Sequence, residues 1–306
     1  MARIQFNEDD DLIDIRYDNV FKAVFTRNTP ASQGALSKLV SALIDREVLV
    51  TSISANEPPI DHFHDRQIRF DIRCKTENGE LINVEMSFNP NRLEPVRLEF
   101  YAGRLFTGQD IRGSDKSYKN LKQAYQIAIL DKDRFFQDEA FSHCFEYYDP
   151  VHKVSLNGRS RIITLELSKM DTVVNKPITG MSSKEHWAFY FRYLTDKGKR
   201  RKINEILETE EGIAMASEVL ITVSKDEIEQ ARLMSELKYE LDTQSRFADA
   251  KQEGIEEGMK EGMKEGEIRG EKIGQEKTAR NALARGLSVE LIRDITGLTI
   301  EEIESL

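Results

Sequence analysis

Cysteine is almost absent from this chain: Cys74 and Cys144 are the only two among 306 residues. So few, so far apart, they exclude a disulfide framework and a thiolate zinc site, which need several closely spaced thiols. Cys74 reads as strand packing, and Cys144, beside His143, as a core thiol. Histidine is scarce too. His62 and His64, behind Pro58-Pro59, are the one closely spaced pair, and they read as a solvated loop or as a metal contact. No apolar run approaches the ~20 residues of a membrane-spanning helix. The opening Met-Ala-Arg-Ile-Gln-Phe leads into the acidic stretch Asn7 to Asp11, not into the apolar core of a secretion signal. A cytoplasmic protein with no membrane partner is expected. Positive charge is in deficit: the net charge of −10 argues against broad, non-specific attraction to a phosphate backbone, although local density can differ from the total.

What is present points to a globular domain with a charged appendage. At 39% hydrophobic and 32% charged residues, the chain is neither disordered nor fibrous. Its most informative segment runs Phe70-Asp-Ile-Arg-Cys-Lys, turns at Glu77-Asn78-Gly79-Glu80, and returns as Leu81 to Phe88. Asn78-Gly79 predicts a tight hairpin turn with φ > 0 at both central positions. The hairpin carries one carboxylate per strand, Asp71 and Glu85. Two such groups offer hard oxygen ligands for Mg²⁺, which takes one or two carboxylates and completes its shell with water and phosphate. A half-buried hairpin also places acids on its wet face for solubility alone, and residue type does not separate the two readings.

Around the hairpin the pattern is mixed α and β. Val20, Phe21, Val24 and Phe25 make an amphipathic helix, Ala35 to Ile44 a second, and Val48 to Ser54 a strand. Pro95 suits the first turn of a helix over 94–108, with Val96, Phe100, Leu105 and Phe106 predicted to cover the sheet. Tyr125 to Leu130 reads as a strand buried on both faces. Segments 141–148 and 161–167 read as a hairpin-like pair. Cations gather after the carboxylate hairpin: Arg92, Arg97, Arg104, Arg112, Lys116, Lys119 and Lys122. Of these, Arg97, Arg104, Lys116 and Lys119 are the candidate nucleic-acid contacts; the alternative is a solvated helix face.

Beyond Ser182 the sequence turns helical. The aromatic run Trp187, Phe189, Tyr190, Phe191 and Tyr193 reads as packing, with a base-stacking platform as the alternative. From Gly254 to Gly274 a glycine recurs every four residues. Six glycines cost a helix on the order of 5 kcal/mol, so either the segment is a tether or a second backbone approaches closely along it. The expectation is a helical arm pairing two copies through Gly258, Gly262 and Gly266. The last residues, Ala279 to Leu306, read as short helices with Gly286 and Gly297 as C-terminal caps and Thr299 with Glu302 as a capping box. The expected divisions are a 1–180 core, a 181–250 helical extension packing on it, a 251–278 arm and a 279–306 module.

Five pieces in order carry a resemblance: Asp18 to Phe25, Phe70 to Lys75, Ile82 to Ser87, Arg97 to Tyr101, and Tyr125 to Leu130. Together they resemble the PD-(D/E)XK nuclease superfamily, and within it the recombination-promoting nuclease or transposase-like family of bacteria. The resemblance implies an α/β, restriction-endonuclease-like mixed sheet flanked by helices, followed by an all-α C-terminal extension. It implies a Mg²⁺-dependent endonuclease acting on DNA, associated with recombination or transposition. Asp71 and Glu85 fall on metal-binding positions and Asp18 on the acidic position of the first helix, so the three should converge. Ser87 falls on a catalytic position where superfamily members place Lys and this family mostly Gln. A Lys stabilises the attacking water or developing charge, whereas a serine hydroxyl only hydrogen-bonds it, which puts rate in question. The alternative is a catalytically weak or inactive homologue acting as a self-associating binding or regulatory protein.

Overall fold

The structure, a computed structural model, describes residues 4–54, 71–87, 90, 93–111, 117–131, 135–156, 158–225 and 227–306, and side chains outside 224–250. The Pro58-Pro59 loop with His62 and His64, and the cations Arg92, Arg112 and Lys116, lie outside the described residues.

Two helices open the chain, α1 (Asp18–Phe25) and α2 (Pro30–Leu43). Thr29 fixes the start of α2 by accepting a hydrogen bond from the Ser32 amide, and Pro30 follows it where no amide proton is needed. Then β1 (Val50–Ser54), β2 (Ile72–Thr76) and β3 (Leu81–Ser87) pair antiparallel in sequence order. Helix α3 (Glu94–Thr107) crosses to β4 (Ala124–Leu130), which runs parallel to β3. The chain continues through β5 (Ser142–Phe145), a ribbon of β6 (Tyr148–Asp149) and β7 (Val154–Ser155), and β8 (Ser160–Glu166). The six-stranded sheet has the order β1-β2-β3-β4-β8-β5, with β8 parallel to β4 and antiparallel to β5. The expected pair of strands after residue 140 is there, with the small ribbon inserted at its tip.

The sheet separates two layers. On one face Ile72, Cys74, Ile82, Val84, Met86, Tyr125, Ile127, Ile129, Ile163 and Leu165 join a large core with α1, α2, α4 (Ser183–Tyr193), α5 (Arg200–Thr209) and α6 (Glu211–Lys225). Trp187, Phe189, Tyr190 and Phe191 are buried in it, with Trp187 stacked 5.6 Å from Phe191 and 5.9 Å from Phe25. These four rings are packing and have no face free for a base. Helix α3 covers the other face through Leu98, Ala102 and Leu105. Val96 and Phe100, predicted to cover the sheet, are 62% and 54% exposed instead. At about 100° per residue they stand about 200° around the helix from Leu98, and the 98-102-105 stripe wins the interface. Cys144 is exposed on the edge strand β5, not in the core.

The hairpin turn also differs from expectation. Only Gly79 has positive φ, at 77°, and its amide donates to Thr76 O at 2.9 Å while Thr76 N–H donates to Glu80 O. The turn therefore puts Glu77 and Asn78 at its centre and a left-handed glycine after them, a bulge-type closure that asks nothing unusual of Asn78.

The chain forms two compact units, Met1–Leu237 and Lys238–Leu306, and the division falls inside α7 (Glu227–Ala284), a single helix of 58 residues. The segments expected at 181–250 and 251–278 thus share a helix. The glycines from Gly254 to Gly274 lie within it, and a Cβ built on any of them meets nothing within 4 Å. In the second unit Ala279, Ile292, Leu298 and Ile303 make a small core with α8 (Val289–Thr296) and α9 (Ile300–Glu304). Gly297 caps α8 at φ 75° and the Thr299–Glu302 capping box starts α9, as the sequence predicts.

Candidate active site

Side chains alternate across a strand, so Asn83, Glu85 and Ser87 share one face of β3 with Leu81, the face beneath α3. The hairpin register pairs Ile72 with Val84, and the next rung sets Asp71 against Glu85. Directly opposed residues of an antiparallel pair project to the same face, so the two carboxylates face each other under α3. Asp71 is fixed by its own neighbour strand: the Met86 amide donates to Asp71 Oδ2 at 3.1 Å. Glu85 is 3% exposed, and Gln126 on β4 donates to its Oε2 at 3.2 Å. Asn83 in turn donates to Gln126 Oε1 at 2.9 Å. A polar track from Asn83 through Gln126 to Glu85 thus runs through strands that are otherwise apolar.

Two cations close the site. Lys22, from α1, stands 2.7 Å from Asp18 Oδ2 and 3.2 Å from Asp71 Oδ1. Arg97, from α3, lies 2.5 Å from Glu85 Oε1 and 2.8 Å from Glu94 Oε1, with its guanidinium 5.4 Å over the Tyr101 ring. Asp18 therefore joins Asp71 through Lys22. Asp18 Oδ1 is buried with no hydrogen-bond partner.

Crowded carboxylates resist ionisation. Burial, then the Asp18 charge, push Asp71 up to about 7 against the opposing pull of Lys22. Burial and the Asp71 charge push Glu85 up to about 8, with Arg97 opposing. Burial also raises the Tyr101 hydroxyl, helped by Glu85. Lys22 is disfavoured as a cation by burial, but Asp71 and Asp18 more than offset this and raise its pKa. Among the described residues no three His, Cys, Asp or Glu side chains form a ready-made metal cluster. The pair Asp71 and Glu85, with the unpartnered Asp18 oxygen nearby, still fits a hard divalent cation, because Mg²⁺ needs only one or two protein carboxylates. Such an ion would relieve the repulsion that holds both carboxyls above their ordinary range.

Of the proposed nucleic-acid contacts, Arg97 pairs with Glu85 and Glu94 while its side chain stays 40% exposed. Arg104 and Lys119 are exposed. Ser87 ends β3, and its carbonyl accepts from the Asp131 amide at 2.9 Å. Asp131 is fully buried between Arg16 and Arg192, each at 2.9 Å, and ties the end of β4 to the first helical layer. Sequence reading missed Lys22, Asn83 and Gln126 as members of the site. The i, i+4 spacing of Asp18 and Lys22, and the amides Asn83 and Gln126 inside the largely apolar runs 81–86 and 124–130, were the available signals.

A mixed six-stranded sheet flanked by helices, with acids from adjacent strands opposed on one face, is the PD-(D/E)XK α/β fold. The chain belongs to the PD-(D/E)XK nuclease family transposases, whose family model matches residues 15–250. That span holds every residue of the site, and the family points to a nuclease or transposition-related function. No curated protein and no solved structure matches the chain. Among the described residues no helix is long and apolar enough to cross a membrane.

Proposed function

We propose that the protein is a divalent-metal-dependent nuclease that hydrolyses DNA phosphodiester bonds during DNA recombination or transposition in the cytoplasm. The observation that carries this is the Asp71–Glu85 pair, opposed across two strands under α3 with their ionisation suppressed by burial, then by the Asp18 charge at Asp71 and the Asp71 charge at Glu85. Asp71 and Glu85 would hold Mg²⁺, each oriented by a hydrogen bond from the sheet, and Asp18 would orient water beside them. When bound there, the ion supplies a water of lowered pKa and neutralises charge on the phosphate. The exposed Arg104 and Lys119, with Lys116, supply the phosphate-backbone contacts, and Ser87 donates its hydroxyl towards the nucleophile.

The acting species is a homodimer joined through the arm. Gly258, Gly262 and Gly266 leave room for a second backbone, and Ile255, Met259 and Met263 beside them are exposed. A second reading, a catalytically weak or inactive self-associating regulator, is favoured by the missing amine at Ser87 and by the net charge of −10. Nicking of supercoiled plasmid by purified protein in Mg²⁺, beside Asp71→Ala and Glu85→Ala, tests the first reading. Cleavage by the wild type alone supports it; a wild type as inert as both variants leaves the regulator.

A further inference from the structure

We infer that Lys22 is a catalytic residue of this site, its ammonium supplied from α1 to the scissile phosphate in place of the amine that Ser87 lacks on β3. The inference rests on the nuclease reading above.

Three observations support it. First, the ammonium is already at the carboxylates: 2.7 Å from Asp18 and 3.2 Å from Asp71, the residue opposite Glu85. Second, it is held and yet reachable. Val20, Phe21, Val24 and Phe25 anchor α1 in the core, while the Lys22 side chain keeps 26% of its surface open. A catalytic group needs this combination of a rigid base and an accessible tip. Third, the site's other cation stands on the Glu85 side and not at Asp71, because Arg97 is divided between Glu85 and Glu94 and lies over Tyr101.

An ammonium has three donors. With Asp71 engaged by a metal, Asp18 retains one of them and two are left for a non-bridging phosphate oxygen and the attacking water. In the hydrolysis the water oxygen bonds to phosphorus and the bond from phosphorus to the leaving sugar oxygen breaks. The proton of the water ends on that leaving oxygen, through solvent. Lys22 gains or loses no proton; it stabilises the negative charge that builds on the phosphate oxygens, which is worth most in a site closed to water.

The test compares wild type with Lys22→Gln, Lys22→Arg and the double variant Lys22→Gln/Ser87→Lys. Plasmid cleavage in Mg²⁺ is measured with Mn²⁺ binding by calorimetry on the same DNA-free proteins. We expect Lys22→Gln to lower the cleavage rate about 100-fold or more. Its Mn²⁺ affinity should hold or rise, because a competing positive charge has gone. Lys22→Arg should retain part of the rate, and Ser87→Lys in the Lys22→Gln background should recover at least about tenfold. Lys22→Gln cleaving at the wild-type rate would overturn the inference alone. So would loss of cleavage and of Mn²⁺ binding in equal proportion, because Lys22 would then only shape the metal site. A wild type that binds Mn²⁺ and never cleaves DNA would overturn the nuclease reading as well.

Discussion

The two faces of the central sheet are built from alternate residues of the same strands, yet they differ in kind. Beneath α1, α2 and α4–α6, residues Ile82, Val84, Met86, Tyr125, Ile127 and Ile129 make one continuous core. Beneath α3, residues Leu81 and Ala124 form one small apolar cluster and Ala128 and Leu130 another. Between them sit Asn83, Glu85 and Gln126, with Asp71 across the hairpin. The first face is lined by apolar side chains of the strands. The second carries buried acids with raised pKa values and a buried polar atom without a partner, Asn83 Oδ1. Polar groups buried at such cost are concentrated at functional sites, and a stable opposite face lets the strand tolerate them.

The comparison is broken most severely by exchanging what each face does. Asp71→Ala and Glu85→Ala should each lower Mg²⁺-dependent cleavage by roughly a thousandfold or more, a barrier increase of about 4 kcal/mol, with the melting temperature of the metal-free protein held or raised, because a carboxyl that resists ionisation has gone. Ile127→Ala, one strand away and facing the core, should do the reverse. It should cost about 2–5 kcal/mol of stability in denaturant titration and leave the cleavage rate per folded molecule intact. If Ile127→Ala changed cleavage in the folded protein, or Asp71→Ala unfolded it, the division of labour between the faces would be wrong.

A pH series sharpens the same contrast. In the metal-free fold Asp71 and Glu85 hold protons that the unfolded chain releases near the ordinary carboxylate range. The folded state therefore binds more protons, and stability should fall as pH rises from about 4 through the folded values near 7 and 8. Glu85→Gln should flatten this slope. Mn²⁺ affinity should rise over the same interval, because the ligands must shed their protons first. Metal affinity that is flat from pH 6 to 9 would contradict the raised values.

The arm and the turn give smaller effects. Leu at Gly258, Gly262 and Gly266 together should weaken dimerisation in light scattering while raising helicity; unchanged mass with higher helicity would remove the arm from the interface. Gly79→Ala should cost about 1 kcal/mol, since only Gly79 in that turn holds positive φ.

Much of this was legible in the residues. The hairpin, both of its carboxylates, the apolar faces of α1 and β4, the capping box at Thr299 and the glycine cap at Gly297 all follow from local pattern, because each is decided within a few neighbours. The rotation of α3 was misread, since Val96 and Phe100 look as apolar as Leu98 and Leu105 and only the fit against β3 and β4 selects the stripe. The clustered aromatics of α4 left packing and base stacking open until the burial of Trp187, Phe189, Tyr190 and Phe191 decided for packing.

The sequence by itself determined that Asp71 and Glu85 lie on paired strands, because hairpin register is a short-range property of the turn. Only the tertiary structure decided their company. Lys22 meets Asp71 across 49 positions and Gln126 meets Glu85 across 41, and charge strength and burial depend on such distant neighbours. Those contacts exist only after β4 inserts beside β3 and α1 packs on the core. No local pattern encodes the field that holds both carboxyls above the ordinary carboxylate range.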